Sequence, residues 1–281
     1  MLTPTDHNRD IAGLTYVYPV ISRRARGVSL GINLNTNNAC NWACVYCQVP
    51  NLTRGGPPPV DLALLETELR AFLTQVVHGD FMARQVPADA RRLSDVAFSG
   101  NGEPTSSPEF EAAVELVIGV LNELHIRAAD GTPLPIRLIT NGSLLHRESA
   151  RRGIARIGEH GGEVWFKVDR ATSEGIAEVN RVNLNPEHMR LNLLRSADLA
   201  PTWIQTCLFG RDGKDPDETE LQAYLNFVAS VQTRIQGVHL YGIARQVMQP
   251  GAEHLRRLPE QTLEAVAKRL KEKGLKVTIN P

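Results

Sequence analysis

Short β-rich runs alternate with amphipathic stretches at least six times along this chain, and that alternation restricts the fold more than any other feature. The runs are Val28–Asn35, Asp95–Phe98, Ile136–Ile139, Glu163–Val168, Trp203–Leu208, Val238–Tyr241 and a last one at Lys276–Ile279. Between the first two, Asp61 opens a helix to about Val77 that carries Leu62, Leu65, Leu69, Phe72 and Val76 on one face. Ser107 is placed to cap the next helix, with Pro108 at its first position and apolar residues from Phe110 to Leu124. Further helices are predicted from about His146, over Pro186–Leu194, over Asp217–Val231 and over Pro259–Lys273. Strands separated by helices of this length pair in parallel through right-handed crossovers. The fold class is therefore α/β with parallel strands. Six or seven βα units fit a partial (β/α)6 TIM-type barrel better than a full eightfold one. A doubly wound sheet is the competing architecture, and periodicity alone does not separate the two. With no repeat, linker or low-complexity tract, residues 1–281 read as a single domain. Residues 1–26 form an N-terminal arm on a barrel of residues 27–281.

In both architectures ligands bind at the carboxyl ends of the strands. The loops at those ends carry the cysteines, glycines and polar residues: Asn37–Cys47, Gly100–Thr105, Asn141–Ser143 and Lys167–Arg170. Topology alone thus brings four motifs to one rim.

The first motif reads Cys40-Asn41-Trp42-Ala43-Cys44-Val45-Tyr46-Cys47, a C-x3-C-x2-C spacing between a strand and a helix. A disulfide scaffold spreads its cysteines through a small secreted chain; here three of the four lie within one loop. Clustered thiols favour metal or redox chemistry, and closely spaced thiolates are what hold iron–sulfur clusters. Three local ligands leave one corner of a 4Fe–4S cluster open, the mark of a catalytic rather than a structural centre. Structural zinc, with His7, His78 or Cys207 as fourth ligand, stands beside that reading, as do inert buried thiols.

In the second motif, Gly100, Asn101, Gly102, Glu103 and Pro104 follow a strand, so backbone can approach a ligand closely while Glu103 supplies an acceptor. Asn141-Gly142 ends the third strand and is equally a plain turn dipeptide. Lys167 and Asp169 share one face of the fourth strand with Trp165, while Phe166 and Val168 oppose them. A buried Lys–Asp pair there is either catalytic, with Schiff-base formation open to the lysine, or a structural ion pair. Cys207 reads as a core residue, and Arg245 is a candidate contact for a substrate anion.

Beyond the cysteine loop, the chain resembles the radical S-adenosylmethionine superfamily, in its wyosine-synthesis-like branch. The likeness spans roughly residues 16–280. It is carried by the cysteine spacing with an aromatic before the third cysteine, Ser22-Arg23-Arg24, Ser29-Leu30-Gly31-Ile32, the Ser99–Thr105 loop, Lys167-Val168-Asp169 and Asn180-Arg181. The resemblance implies a 4Fe–4S cluster on Cys40, Cys44 and Cys47. Its open iron chelates S-adenosylmethionine, and reductive cleavage gives a 5′-deoxyadenosyl radical that takes hydrogen from a substrate. It implies further that Gly102 and Glu103 orient the methionyl end, with Asn101 standing where the family has glycine. Tyr46 would contact adenine through its backbone, and Asn141 and Asp169 would hold the cofactor. A flavodoxin- or ferredoxin-like one-electron donor completes the set. The family's second clusters need further cysteines, and only Cys207 remains, which points to a single-cluster member.

Lys+Arg and Asp+Glu number 31 each, so no global charge draws the chain to nucleic acid or anionic lipid. A small molecule or peptide is the expected substrate. Modification of a tRNA base is the alternative, because basic pairs such as Arg23-Arg24, Arg91-Arg92, Arg151-Arg152 and Arg256-Arg257 can grip phosphates. Outside the enzyme class stand an iron–sulfur electron carrier, which would have no Gly-Asn-Gly-Glu loop, and a zinc-stabilised binding domain, which would be basic. The polar N-terminus and the lack of a long apolar run predict a cytoplasmic protein with no membrane span.

Overall fold

The computed structural model describes residues 2, 13–22 and 27–280. Eight strands form one sheet in the order β1 (Val17–Ser22), β2 (Gly27–Ile32), β3 (Leu93–Phe98), β4 (Ile136–Thr140), β5 (Glu163–Lys167), β6 (Thr202–Leu208), β7 (Gly237–Gly242) and β8 (Val277–Asn280). Strands β2 to β8 are parallel, and β1 alone runs antiparallel, on β2. Among the described residues no ladder joins β1 to β8. The curled sheet is thus an open partial barrel of six βα units plus a last strand. The helices are α1 (Leu62–Val77), α2 (Phe81–Gln85), α3 (Phe110–Glu123), α4 (Glu148–Glu159), α5 (Ser173–Asn180), α6 (Pro186–Leu199), α7 (Glu218–Ala229) and α8 (Glu260–Glu272).

The helices cover the outer face. Leu65, Leu69, Phe72 and Val76 of α1 and Val114, Val117 and Leu121 of α3 pack on the outward residues of the strands, among them Ile136, Leu138, Phe166 and Val168. Asp61 caps α1 as its position predicts, its carboxylate accepting the Leu64 N–H at 3.0 Å. Ser107 does not cap α3 in the expected way. It closes a turn at Pro104–Ser106, and α3 begins at Phe110 after Glu109, whose N–H donates to the Ser107 hydroxyl at 3.2 Å.

Besides the short helix α2, two elements have no counterpart in the sequence pattern. Strand β1 takes up part of the arm; buried Glu68 of α1 fixes its start by accepting the N–H groups of Thr15, Tyr16 and Val17. Residues 1, 3–12 and 23–26 of the arm, with His7 and Arg23-Arg24, lie outside the described residues. Helix α5 is the other, capped by the Thr172 hydroxyl on Gly175 N.

The inner face differs along the barrel axis. Near the amino ends of the strands, Arg137 bridges Asp95 and Glu163, and Trp203 stacks on His239 with ring centroids 4.5 Å apart. These groups fill that end, so open space remains towards the carboxyl ends. No helix among the described residues is long and apolar enough to cross a membrane.

Candidate active site

That space is a cavity of about 310 Å³, within the size range of cofactor sites. Its wall includes Cys40, Cys44 and Cys47 together with Gly100 to Glu103, Asn141 and Lys167. Pro104 and Asp169 stand behind the wall. The four rim motifs do meet at one place.

The cysteine loop is held by backbone on both sides. Cys40 lies in a two-residue ladder with Thr53-Arg54, and Cys44 and Cys47 close a turn through Cys47 N to Cys44 O at 3.0 Å. On the other flank the loop rests on the end of α5: Ala43 N and Val45 N donate to the carbonyls of Asn180 and Val179 at 3.2 and 2.9 Å. Each of two sulfurs receives an N–H, Cys40 from Trp42 N at 3.4 Å and Cys44 from the Asn180 amide at 3.2 Å. Burial pushes the Cys40 thiol up to about 11 and the Cys44 thiol up to about 12. Coordination to a metal deprotonates such thiols outright.

The Gly100–Glu103 loop is pressed against this framework. Asn101 N donates to Asn33 Oδ1 at 3.0 Å, and the Asn101 amide donates to Asn38 Oδ1 at 2.6 Å. The positive φ in this loop belongs to Gly100, at 152°, and not to Asn101. Asn in place of glycine at 101 therefore carries no left-handed strain. A Cβ on Gly102 would lie 2.1 Å from the Ala39 carbonyl oxygen, so only glycine allows the two loops to touch.

Glu103 behaves differently from its sequence reading as a free acceptor. Its carboxylate is turned into the protein and takes Thr105 N at 3.1 Å, the Thr105 and Thr140 hydroxyls at 2.6 Å each, and Asn141 N at 2.6 Å. What the loop offers the cavity at this point is backbone. Asn141 in turn donates to Asn41 Oδ1 at 2.8 Å and accepts from Ser143, more than the plain turn its dipeptide allows.

Lys167 reaches the cavity with its ammonium 4.9 Å from the centre of the Tyr46 ring, 3.1 Å from the Tyr241 hydroxyl and 3.7 Å from Asp169 Oδ2. Asp169 is buried and touches no open space. It accepts the Tyr46 hydroxyl, the Asn180 amide at 2.8 Å and Cys207 N at 3.0 Å. In this geometry it fixes Tyr46, Asn180 and Lys167. Burial, reinforced by the Asp169 charge, pushes the Tyr46 hydroxyl well up, so it remains a donor. Cys207 lies against the same cavity, packed with Val45, Tyr46 and Phe209. Arg245 lines the mouth, with Gln48 Oε1 at 3.4 Å. Of the basic pairs, Arg152 and Arg256 face carboxylates of Glu111, Glu148 and Asp215.

Asn33 and Asn35, which help to build the cradle, belong to no motif. Asn41 and Ser143 lie within two of the rim motifs and Asn180 within a segment of the resemblance, but their sequence positions assign them no contact.

The residues fit an iron–sulfur cluster. Three thiols line one cavity, two of them receive N–H donors of the kind that stabilise sulfur ligands, and the glycine loop packed beside them lines the same cavity. Among the described residues no group of three or more His, Cys, Asp or Glu is gathered to hold a single metal ion. Thiols that do not converge on one point suit a cluster, in which each binds a different iron, better than a tetrahedral zinc.

No protein-family model matches the chain. Over 164 residues it is 30% identical to the UPF0026 protein MJ1312 of Methanocaldococcus jannaschii, a match covering 58% of this chain and 43% of that one. Over 136 residues it is 26% identical to a protein named GTPase Obg from Brachyspira hyodysenteriae, covering 47% of this chain and 16% of that one. The chain thus spans less than half the length of either curated relative. It has no phosphate-binding Gly-Lys-Ser/Thr, since Gly213-Lys214 is followed by Asp215.

Among solved structures, it superposes on a radical SAM methyltransferase from Sphaerobacter thermophilus with a TM-score of 0.60 at 13% identity, covering 94% of this chain and 68% of that one. TYW1 with a lysine-pyruvate adduct bound gives 0.55 at 15%, covering 88% and 74%. The anSMEcpe protein with bound AdoMet gives 0.54 at 15%, covering 89% and 63%. At these identities the likeness is one of fold.

Proposed function

We propose that this chain, which has the fold of the radical S-adenosylmethionine superfamily, is an enzyme that uses a single 4Fe–4S cluster to cleave S-adenosylmethionine reductively. The observation that carries the reading is the meeting of Cys40, Cys44 and Cys47 with the Gly100–Glu103 backbone on the walls of one cavity. Bound there, the cluster would supply one-electron reduction of the sulfonium and so a 5′-deoxyadenosyl radical.

The chain's own residues do the rest. The three cysteines would hold the cluster, and the backbone of Gly100 to Glu103, held rigid by the inward-turned Glu103 carboxylate, would hold the ligand beside it. Lys167 places a cation between two tyrosines on the wall, where a carboxylate or hydroxyl of the ligand would meet it. The Arg137 ion pairs and the Trp203–His239 stack close the amino end and exclude water from that side. The substrate is a small molecule or a peptide side chain that enters from the open end, and a flavodoxin- or ferredoxin-like carrier supplies the electron.

The test is anaerobic reconstitution with iron and sulfide, reduction with dithionite, and an assay for 5′-deoxyadenosine. Wild-type protein is expected to form the product and Cys44→Ala none. Well-loaded wild-type protein giving no more product than Cys44→Ala overturns the reading.

A further inference from the structure

We infer that Asn180 tunes the reduction potential of the cluster through its side-chain hydrogen bond to Cys44. The inference rests on the reading above that the three cysteines carry a cluster.

The Asn180 amide uses both of its hydrogens. One goes to Cys44 Sγ at 3.2 Å and the other to Asp169 Oδ2 at 2.8 Å. A flipped amide would turn its oxygen towards a sulfur and a carboxylate, both acceptors, so the two partners dictate the orientation. Asn180 is 1% exposed and ends α5, where Arg181 takes the left-handed conformation at φ 58°. Its own carbonyl accepts Ala43 N, one residue before Cys44. Donor and sulfur are therefore held by the same short stretch of backbone, and neither can move without the other.

A fixed N–H on a thiolate sulfur stabilises the extra negative charge that a cluster gains on reduction, which raises its potential. The bond from Trp42 to Cys40 acts in the same sense, but it is a backbone N–H and survives any side-chain change. The Asn180 bond can be removed. Asn180 is thus a positioning residue: it acts on the cluster through Cys44 and meets no substrate.

The experiment is a redox titration of reconstituted wild-type protein, Asn180→Met, Asn180→Leu and Glu174→Gln, followed by the electron paramagnetic resonance of the reduced cluster. Iron and sulfide are counted for each protein. At a fixed solution potential, Asn180→Met should show a reduced-to-oxidised ratio about tenfold lower than wild type, a downward shift of about 59 mV for a one-electron couple. Asn180→Leu, of similar size and likewise without a donor, should shift in the same direction. Glu174→Gln changes an exposed residue of the same helix and should leave the potential unchanged.

One of the exchangeable-proton couplings of the reduced wild-type cluster should be missing from whichever Asn180 variant folds, while the coupling of the Trp42 N–H on Cys40 remains. Intact clusters with the same potential and coupling in wild type and variants overturn the inference and leave the proposed function standing. Wild-type protein that takes up no cluster overturns both.

Discussion

Glu103 Oε2 accepts the backbone N–H of Asn141 at 2.6 Å, which ties the loop after β3 to the loop after β4. With Thr105 and Thr140 on its other oxygen, this carboxylate is the brace of the cavity wall.

Burial pushes the Glu103 carboxyl above its ordinary value of 4.5, against the hydrogen bonds it accepts. A carboxyl with a raised folded pKa contributes stability that is complete below the unfolded value and is lost as pH rises through the folded one. Glu103→Gln keeps an oxygen for some donors but turns N–H groups towards others, a cost of about 2 kcal/mol. Urea unfolding should therefore show the largest gap between wild type and Glu103→Gln below pH 4.5, shrinking as pH rises through the folded value. A gap that widens with pH contradicts this account.

Gly102→Ala should separate the glycine loop from the cysteine loop. The added methyl meets the Ala39 carbonyl at 2.1 Å and Asn35 at 2.6 Å, both parts of a braced framework. Overpacking of this kind costs about 1–3 kcal/mol. Gly119→Ala is the control: its Cβ meets nothing within 4 Å, and in the middle of α3 the change should stabilise by up to ~1 kcal/mol. Thermal unfolding of the two variants should move in opposite directions.

Much of this architecture is legible in the sequence because it is locally determined. The strand runs from β2 to β8 are apolar on their outward faces, and the caps of α1 and α7 are Asp61 and Asp217, each bonded within its own first turn. The rim follows from topology once those runs are placed. Strand β1 is not legible, because what holds it is Glu68, 51 to 53 residues away. Helix α5 is eight residues long and contains Gly175, so its pattern is too short and too weak to read. Asn180 meets Cys44 across 136 residues, and no spacing rule connects them. The direction of the Glu103 side chain is equally hidden, since its partners Thr140 and Asn141 belong to another βα unit.

Lys167 should not form a Schiff base in the resting protein. Burial is the largest single effect and pulls its ammonium towards neutrality, but the Asp169 carboxylate together with Tyr241, Cys44 and Cys207 outweighs it, and the net shift is upward. Attack on a carbonyl needs the neutral amine. Incubation with pyruvate and cyanoborohydride at neutral pH should modify exposed Lys268 and Lys271 and leave Lys167 untouched in the peptide map. Reduced adduct at Lys167 would show that the ammonium is not held as the geometry requires.

The Lys167–Asp169 pair should behave as one unit in stability. Asp169 has no exposed side-chain surface, and Lys167 is the cation beside it at 3.7 Å. Lys167→Met strands the carboxylate with the Tyr46, Asn180 and Cys207 donors alone, a loss of about 3 kcal/mol. Asp169→Asn removes the charge but turns N–H groups towards donors, so it also destabilises. The double variant has no stranded charge, because the lysine and the carboxylate leave together. It should therefore be more stable than the sum of the single losses predicts, by about 1 kcal/mol or more. Strict additivity in denaturant titrations would mean that the two groups do not interact. Lys167 would then owe its place to the Tyr46 and Tyr241 rings alone.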